Sequence, residues 1–306
     1  MLNKLDKKKV LKQFLYARVF LYAGVQVLLN GFSKKGLEIA NLSIENRILS
    51  KLRKKYQNVI GNYKTNPYKN SAKKCNVIWI CWLQGLDLAP FLVQKCIESI
   101  RRNLPNKKIV LLTEKNYREY VSFPDFIEEK IDSGVITKTH FSDLLRIELL
   151  TKYGGTWIDA TVFCSSNQLP EYIFESDLFM YQILKPGLSG HPTRISSWFM
   201  TANKNSDILN LTKELLYSYW KKNNEMVTYF LLHDFVELSI ETFPAEWSKV
   251  TKLSSGNPHI MQYKMMNDFS ENDFYELIKI TDVHKLSYKN TIKEDNYVFL
   301  EYIGEQ

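Results

Sequence analysis

The segment HFSDLLRIELLTKYGGTWIDATVF, residues 140–163, is where a helical pattern changes into a strand pattern. In its first half, Asp143 and Arg146 lie three residues apart, so a helix would place a carboxylate and a guanidinium on one side. Taken alone, this pair could be a surface ion pair of little energetic weight. Gly154 and Gly155 follow, and glycine tolerates the positive φ that a sharp turn requires. The segment therefore predicts a helix, a tight turn and a strand in succession.

The predicted strand, TWIDATVF at residues 156–163, contains an acidic side chain in an apolar setting. Side chains alternate along a strand, so Asp159 and Thr161 should face one way while Ile158 and Val162 fill the core. Burying a carboxylate without a partner is costly, and a divalent cation bound to a diphosphate would offset that cost. Asp159 is therefore the central candidate site residue, although it could instead cap a turn or accept from backbone amides.

Apolar runs alternate with helical patterns along the rest of the main part of the chain. NVIWICWL at 76–83 and KKIVLLT at 107–113 are typical of strands, and residues 90–101 are typical of a helix. Further helices are predicted over 115–131 and 140–152. This alternation indicates an α/β protein with parallel strands. The helix at 90–101 should bury one face, formed by Val93, Cys96, Ile97 and Ile100.

Positive charge is concentrated at the N-terminus. Residues 1–75 hold 17 of the 41 Lys and Arg but only 3 of the 33 Asp and Glu, so the net charge is +14 there and −6 over residues 76–306. A helical rhythm in the basic part gives way to a stretch rich in Gly, Asn, Pro and Lys at 61–74, which is typical of a linker. We therefore expect a basic helical segment with a linker over 1–75 and a main domain over 76–306.

The basic segment contains an apolar stretch, residues 14–29, that is interrupted by Arg18 and Gln26. It is shorter than the ~20 residues that cross a bilayer as a helix. We expect a helix that lies on the inner face of the membrane, with a helix packed on its own domain as the open alternative. The expected headgroup contacts are Lys7, Lys8, Lys9, Lys12 and Arg18, and the expected inserted side chains are Phe14, Leu15, Phe20 and Leu21.

Several function classes are disfavoured by the composition and by missing motifs. The four cysteines show no CxxC spacing, which argues against a zinc knuckle and a disulfide framework and favours free thiols in a reducing compartment. Neither GxxxxGK[ST] nor GxGxxG occurs, which disfavours P-loop and dinucleotide-binding proteins. The mildly acidic main domain argues against nucleic acid as a partner.

Three short motifs, SDLLR at 142–146, YGG at 153–155 and WIDAT at 157–161, together resemble the capsular polysaccharide synthesis glycosyltransferases. These are related to the α-mannosyl- and galactosyltransferases with a DxD signature and, more distantly, to the clostridial glucosylating toxins. IWICWLQG at 78–85 supports the resemblance, and SWFMTANKNSDIL at 197–209 and HKLSYK at 284–289 match less closely. The resemblance extends over about 75–290.

The resemblance implies a glycosyltransferase A-type nucleotide-binding fold over residues 76–306, preceded by the helical N-terminal segment. It implies transfer of a hexose, galactose or glucose, from a UDP-sugar to a lipid-linked saccharide in capsular or surface polysaccharide synthesis, with retention of configuration. The enzyme would be bacterial and cytoplasmic, and peripheral on the inner face of the cell membrane.

The resemblance also assigns roles to residues in the donor site. Trp79, Trp82 and Gln84 would line the nucleotide pocket, where an aromatic face can stack on a base. Asp143 and Arg146 would hydrogen-bond sugar hydroxyls or a phosphate oxygen.

The diphosphate and its metal have their own expected residues. Lys285 and Lys289 would neutralise the departing diphosphate, although two lysines could equally be a solvated face. Asp159 and Thr161 would hold Mn²⁺ or Mg²⁺. Thr161 stands where the wider superfamily has a second carboxylate, and a neutral hydroxyl is a weaker ligand for a hard cation.

Less specific candidates complete the expected site. His233 and Asp234, in the apolar segment YFLLHDF, could reach the sugar or acceptor as a buried polar pair, or His233 could satisfy a core hydrogen bond. His191, in a predicted loop, could meet the acceptor. The alternatives from other classes are a non-catalytic protein that binds polysaccharide or nucleic acid through its basic arm, and a phosphotransferase or hydrolase that uses Asp159.

Overall fold

The computed structural model describes residues 4–67, 75–183, 192–289 and 292–301. The helices are α1 Lys4–Tyr16, α2 Phe20–Asn30, α3 Lys34–Thr65, α4 Phe91–Asn103, α5 Asp125–Asp132, α6 Lys138–Lys152, α7 Tyr172–Glu175, α8 Asp207–Lys222, α9 Leu231–Thr242, α10 Pro244–Trp247, α11 Gly256–Met265 and α12 Glu271–Ile280. The strands are β1 Val77–Cys81, β2 Lys108–Leu112, β3 Gly155–Ile158, β4 Val162–Cys164, β5 Leu178–Gln182, β6 Ile195–Ala202 and β7 Val283–Lys285.

A five-stranded sheet in the order β2-β1-β3-β6-β5 forms the centre of the molecule. β1 is parallel to β2 and β3, and β6 alone runs against its neighbours β3 and β5. β4 and β7 form a separate antiparallel pair. The predicted α/β class with parallel strands is confirmed, and the parallel arrangement brings the carboxyl ends of β1 and β3 to one edge of the sheet.

The predicted helix at 90–101 is present as α4, directly after Pro90, and its expected apolar face is fully buried. The helix predicted over 115–131 is wrong in its first part. Only a short 3-10 turn, Tyr117–Glu119, precedes α5. Pro124 explains the break, because a residue that precedes proline is disfavoured in the helical region.

The segment at 156–163 is not one strand, as predicted, but two strands in different sheets. β3 ends at Ile158, the N–H of Asp159 donates to the carbonyl of Trp198 (2.9 Å), and the N–H of Val162 donates back to the carbonyl of Asp159 (3.0 Å). This tight turn ends the ladder between β3 and β6 and redirects the chain into β4. Ile158 and Val162 are fully buried, as expected.

The turn between α6 and β3 depends on two glycines, as predicted. Gly154 and Gly155 have φ values of 74° and 97°. A Cβ atom on Gly155 would lie 2.5 Å from the carbonyl oxygen of Val77 on the neighbouring strand β1. The turn therefore needs glycine both for its backbone conformation and for the close approach of two strands.

The N-terminal helices pack on the main part of the molecule through α3. The ring of Tyr56 lies edge-on to Phe235 of α9, with centroids 5.3 Å apart, and Arg53 donates to both carboxylate oxygens of Glu241. α3 continues to Thr65, so it occupies the first part of the predicted linker at 61–74. Residues 68–74 of that linker lie outside the described part of the chain.

Exposed apolar side chains remain on α1 and α2, although α2 packs against α3 through Ala23. Among the helices of the described residues, none combines the length and the apolar character that a bilayer crossing requires. The side chains of Lys7, Lys8 and Lys9 lie outside the described part. The large exposed apolar residues in this part of the chain, up to residue 32, are Leu11, Leu15, Tyr16, Phe20, Leu21, Val25, Leu28, Leu29 and Phe32.

Substitution of Gly155 tests the close approach of β1 and β3. We expect Gly155→Ala to lower the free energy of unfolding by about 3 kcal/mol, because the backbone is strained and the added methyl group meets the carbonyl of Val77. Urea unfolding monitored by circular dichroism measures the change. Gly61→Ala is the control, because Gly61 lies in α3 with open space around it. An equal loss in both variants would contradict this account of the turn.

Candidate functional site

A cavity of about 490 Å³ lies at the edge of the sheet where β1 and β3 end. Five segments meet there: the chain that follows β1, the first turns of α6, the turn after β3, the connection between α8 and α9, and the end of β7 with the chain after it. Its main polar lining residues are Gln84, Lys138, Thr139, Ser142, Arg146, Asp159, Thr161, Tyr229, Ser287 and Lys289, with Lys285 and the rings of Trp82, Trp157 and Tyr288.

Arg146, on α6, is held in one position by contacts on several sides. Its Nη2 atom lies 3.3 Å from Oδ1 of Asp143 and 3.6 Å from Oδ1 of Asp159. The guanidinium also lies over the ring of Trp157, 4.9 Å from its centroid, and donates to the carbonyl of Ser197. The arginine therefore presents a fixed positive charge at the wall of the cavity.

Asp143 lies behind Arg146 and does not line the cavity. Nδ1 of His140 is 3.2 Å from Oδ2 of Asp143, and the indole N–H of Trp220 donates to Nε2 of the same histidine (2.9 Å). Because Nε2 accepts a hydrogen bond, the proton of the imidazole is on Nδ1, and this N–H donates a hydrogen bond to Asp143. Burial alone would raise the pKa of Asp143, but Arg146 and the bond from His140 hold that pKa below its usual value. Asp143 is thus ionised and positions Arg146.

Asp159 lies in the turn after β3, and its side chain is 27% exposed. The indole N–H of Trp157 donates to Oδ1 (2.9 Å), which leaves Oδ2 directed toward the cavity side where Lys285 lies 3.8 Å away. The carboxylate is therefore fixed in orientation and lies between two cationic side chains.

Lys285 reaches this turn because β7 pairs with β4. The register sets Val162 opposite Lys285, and the N–H of Leu286 donates to the carbonyl of Thr161 (2.9 Å). The ammonium group donates to Oγ1 of Thr161 (2.6 Å). Lys289 follows at the cavity wall. The structure thus brings both predicted lysines to the cavity and Lys285 to within 3.8 Å of Asp159, from more than a hundred positions away in sequence.

The side chains expected to hold a divalent cation do not fit one as they are arranged. Thr161 already accepts from the ammonium of Lys285, and the same ammonium is the cation nearest to Oδ2 of Asp159. Among the residues that the structure describes, no group of three or more His, Cys, Asp and Glu side chains could hold a metal ion. Mn²⁺ and Mg²⁺ prefer several oxygen ligands, and this donor set supplies one carboxylate beside a positive charge.

Of the three side chains expected around the nucleotide, two reach the cavity and one does not. Trp82 and Gln84 line the cavity, where Trp82 meets the ring of Tyr288 edge-on at 5.3 Å. The indole N–H of Trp82 is buried and has no hydrogen-bond partner among the described residues. Trp79 requires a correction. It is buried beneath Tyr153, and its indole N–H donates to the carbonyl of Gly154 (2.9 Å), so its ring cannot reach a base in the cavity.

His233 and Asp234 are not among the residues that line the cavity, and neighbours on a helix point about 100° apart. His233 is near enough to Asp143 to contribute to the lowering of its pKa. Asp234 is 3% exposed and is turned away from the cavity, because the carboxylates that affect its pKa are those of Glu45 in α3 and of Glu237. Burial, followed by these two carboxylates, raises the pKa of Asp234 well above its usual value, against the opposing effect of Arg53. The expected catalytic role of Asp234 is therefore corrected to a structural one. His191 lies outside the described residues.

Several residues at the site were not identified from the sequence. Lys138 and Ser142 lie in the first turns of α6 and could have been found from the SDLLR motif, because Ser142 is its first residue and Lys138 lies one turn before it. His140 is in the same helix, three residues before Asp143. Tyr229, which is half-exposed at the cavity, could not be identified from the sequence, because no motif around it distinguishes it from the other tyrosines in loops. Partial burial raises the pKa of its hydroxyl, which therefore remains protonated at neutral pH.

Asp234→Asn tests the corrected role of Asp234. A carboxyl whose pKa is raised on folding contributes stability that is lost as the pH rises from its unfolded pKa through its folded pKa. The neutral amide has no such loss. We therefore expect the variant to be more stable than the wild type at pH 8, with a difference that shrinks toward pH 4. Urea unfolding across this pH range measures it, and a difference independent of pH would contradict the assignment.

The chain has partial likenesses among known proteins. The O-glycosyltransferase braB of Annulohypoxylon truncatum is 32% identical over 95 residues, which is 28% of this chain and 23% of that protein. The chain thus matches about a quarter of the length of that curated relative. A solved structure, PaToxG Glycosyltransferase, aligns with a TM-score of 0.38 and 14% identity over 67% of this chain and 85% of that one. A score at that level supports no argument about the fold.

A family comparison covers most of the chain. The family described as capsular polysaccharide synthesis protein matches residues 32–303, which includes α3, the central sheet, the cavity and the β4–β7 pair. This match agrees with the resemblance of the SDLLR, YGG and WIDAT motifs. The chain belongs to the capsular polysaccharide synthesis protein family.

Proposed function

We propose that the protein is a nucleotide-sugar glycosyltransferase that moves a hexose, galactose or glucose, from a UDP-sugar to a lipid-linked saccharide in capsular or surface polysaccharide synthesis. The observation that supports this most directly is the cavity at the ends of β1 and β3, where cationic side chains surround Asp159. Family membership and the glycosyltransferase name of the curated relative agree with it. We propose a glycosyltransferase A-type fold for the main domain on the same grounds.

The cavity is suited to a diphosphate because nearly all of its charged lining residues are cationic. Lys138, Arg146, Lys285 and Lys289 line it, and Asp159 is the one carboxylate among the described lining residues. The N-terminus of α6, a helix of 15 residues, opens on the same side and adds the positive end of its dipole. Arginine and lysine together can neutralise two phosphate groups and fix their orientation.

The nucleoside would lie against the chain that follows β1. Trp82 offers an aromatic surface and an unused indole N–H, and Gln84 offers an amide that can both donate and accept. An unpaired buried donor is costly in the free protein, and a ligand acceptor would satisfy it. These two residues, rather than Trp79, are the proposed contacts for the base and ribose.

In the proposed reaction, the bond between C1 of the hexose and the diphosphate oxygen breaks, and a bond forms from C1 to an acceptor hydroxyl on the same face. The proton of that hydroxyl goes to the departing diphosphate. Arg146 and Lys285 stabilise the negative charge that develops on the leaving group, which is the contribution that preorganised charges make best. Asp159 orients both cations and accepts from a hydroxyl of the donor sugar.

Lys285 would supply positive charge at the position expected for the metal ion. Its ammonium contacts Thr161 and faces Asp159, the two side chains expected to be the ligands. The expected Mn²⁺ or Mg²⁺ remains a prediction that this donor set does not support. We therefore propose that the diphosphate binds without a divalent cation held by these two residues.

We propose that the enzyme acts on the cytoplasmic side of the cell membrane, attached to its inner face. The support is the combination of exposed apolar side chains on α1 and α2 with the net charge of +14 over residues 1–75. Apolar side chains beside many cations suit a surface of anionic lipids.

Thermal stability with nucleotides tests donor binding and the role of Lys285. We expect UDP, but not GDP or CDP, to raise the melting temperature in EDTA as much as with manganese, since a ligand of the folded state stabilises it. Lys285→Gln should weaken UDP binding by about tenfold to a hundredfold, with no rescue by manganese. Lys252→Gln, on the surface, is the control.

Two outcomes would count against this account. UDP binding that requires manganese would overturn the proposed role of Lys285 and restore the metal expectation. A melting temperature that responds to no nucleotide would overturn the donor site and favour the alternative of a non-catalytic polysaccharide-binding protein.

Asp159→Asn tests the centre of the site. We expect sugar transfer to fall by about a hundredfold or more while the melting temperature stays close to that of the wild type, because the amide keeps the shape but not the charge. Transfer of labelled hexose from UDP-hexose to a membrane extract measures activity. Asp87→Asn, at an exposed site outside the cavity, should transfer normally. Full activity of Asp159→Asn would refute the assignment.

A further inference from the structure

A second cavity, of about 610 Å³, lies between the end of α1, the middle of α3 and the chain that joins α8 to α9. Three cationic side chains line it, Arg18, Lys51 and Lys55. Apolar side chains such as Leu15 and Leu52 form the rest of the wall. The described lining residues include no Asp or Glu, so the cavity combines uncompensated positive charge with apolar surface.

The hydrogen bonds of the two lysines go to neutral oxygens only, and Lys55 also lies over the rings of Tyr56 and Tyr219, 5.6 and 5.9 Å from their centroids. Nζ of Lys51 donates to the carbonyls of Ala17 (2.9 Å) and Arg18 (2.6 Å), and Nζ of Lys55 donates to Oδ1 of Asn223 (3.2 Å). Burial, and after it the neighbouring positive charges, lower the pKa of both lysines. Cations gathered without a carboxylate among them repel one another, and an anionic ligand would relieve that repulsion.

The turn that presents Arg18 is itself unusual. Arg18 has φ 55° and is the one non-glycine residue with positive φ among the residues that the structure describes. That conformation is disfavoured for an L-residue, because its Cβ atom lies too close to the following carbonyl oxygen. Strained residues of this kind cluster at ligand sites, where the surrounding structure holds them in place. Here the strained conformation occurs in the turn between α1 and α2 and places Arg18 at the wall of the cavity.

The apolar face of α2 begins two residues after Arg18. Leu21 is 82% exposed, Leu28 73% and Leu29 75%, and the spacing of these residues places them on one side of the helix. An exposed apolar face of this kind marks a contact with a membrane or a protein. The adjoining cluster of unpaired cations favours a membrane with anionic headgroups over an apolar protein surface.

We propose that this second cavity binds the phosphate of an anionic phospholipid, whose acyl chains lie along the exposed face of α2. The proposal rests on the membrane association proposed above and assigns it a discrete lipid site. Arg18 and Lys55 contact the phosphate, and Lys51, already bound to two carbonyls, holds the turn in place. A discrete site differs from non-specific electrostatic binding to a membrane, because only the cations that line the cavity contribute fully to binding of the lipid.

The connection between α8 and α9 brings the lipid site close to the donor cavity. Val227 lines the second cavity and Tyr229 lines the first, and residues two apart in a chain are at most about 7 Å apart. A lipid held at the second cavity would therefore lie close to the donor cavity.

The test compares Lys55→Gln with Lys54→Gln in the full chain. Both substitutions remove one charge from an exposed lysine of α3, but only Lys55 lines the cavity. The probes are phosphatidylcholine vesicles with and without phosphatidylglycerol, and monomeric short-chain phosphatidylglycerol. We expect Lys55→Gln to weaken binding of the monomeric lipid about tenfold, the loss of one charge-assisted hydrogen bond, and Lys54→Gln to leave it unchanged. Stabilisation by UDP should be the same in both variants and confirms that they are folded.

The possible outcomes separate the lipid site from the membrane association and from the transferase. Equal loss in the two variants would overturn the discrete site while membrane association stands. Failure of the wild type to bind anionic vesicles would overturn both, and UDP binding would then still test the transferase separately. Inorganic phosphate that binds as tightly as the monomeric lipid would overturn the assignment to a lipid. A matching loss in Leu29→Gln would support the placement of the acyl chains.

Discussion

The contact between Arg146 and Asp143 is the interaction on which the rest of the candidate site depends. Removing two charges from water costs free energy, and their attraction offsets this desolvation cost only when the remaining hydrogen-bond donors and acceptors are satisfied. Here His140 donates to Asp143 and accepts from Trp220, while Trp157 and the carbonyl of Ser197 contact Arg146. The guanidinium is then fixed close enough to Asp159 to define where a ligand's negative charge can lie. The helix α6, the end of β3 and the start of the turn are all positioned around that one cation.

The local parts of this arrangement could be predicted because they depend on neighbours in sequence. The change from helix to strand at the two glycines, the buried face of α4 and the grouping of Asp143, Arg146 and Asp159 all follow from patterns shorter than 25 residues. The strand error at 156–163 has a physical cause. Alternation describes one continuous strand well, but it does not show that the backbone of Asp159 bonds to β6 and then turns into a second sheet.

Other features required the tertiary structure. Trp79 and Trp82 are three residues apart in one apolar run, and only the end of β1 decides that one is core and the other faces the cavity. Asp234 and His233 are adjacent, yet helix geometry turns the carboxylate toward α3. The meeting of Lys285 with Thr161 comes from the β4–β7 pairing, which no local pattern indicates. Resemblance to a family did indicate this lysine, but not that its ammonium would lie where a metal ion was expected.

The short connection between α8 and α9 has a geometric consequence for a membrane-bound substrate. Its residues Val227 and Tyr229 touch the two cavities in turn, so the distance between a lipid phosphate in one and the sugar in the other would be set by the backbone. Such a connection would hold this distance constant. It would define the height above the bilayer at which a growing saccharide meets the donor, and a chain that ends nearer to or farther from the membrane would be out of reach.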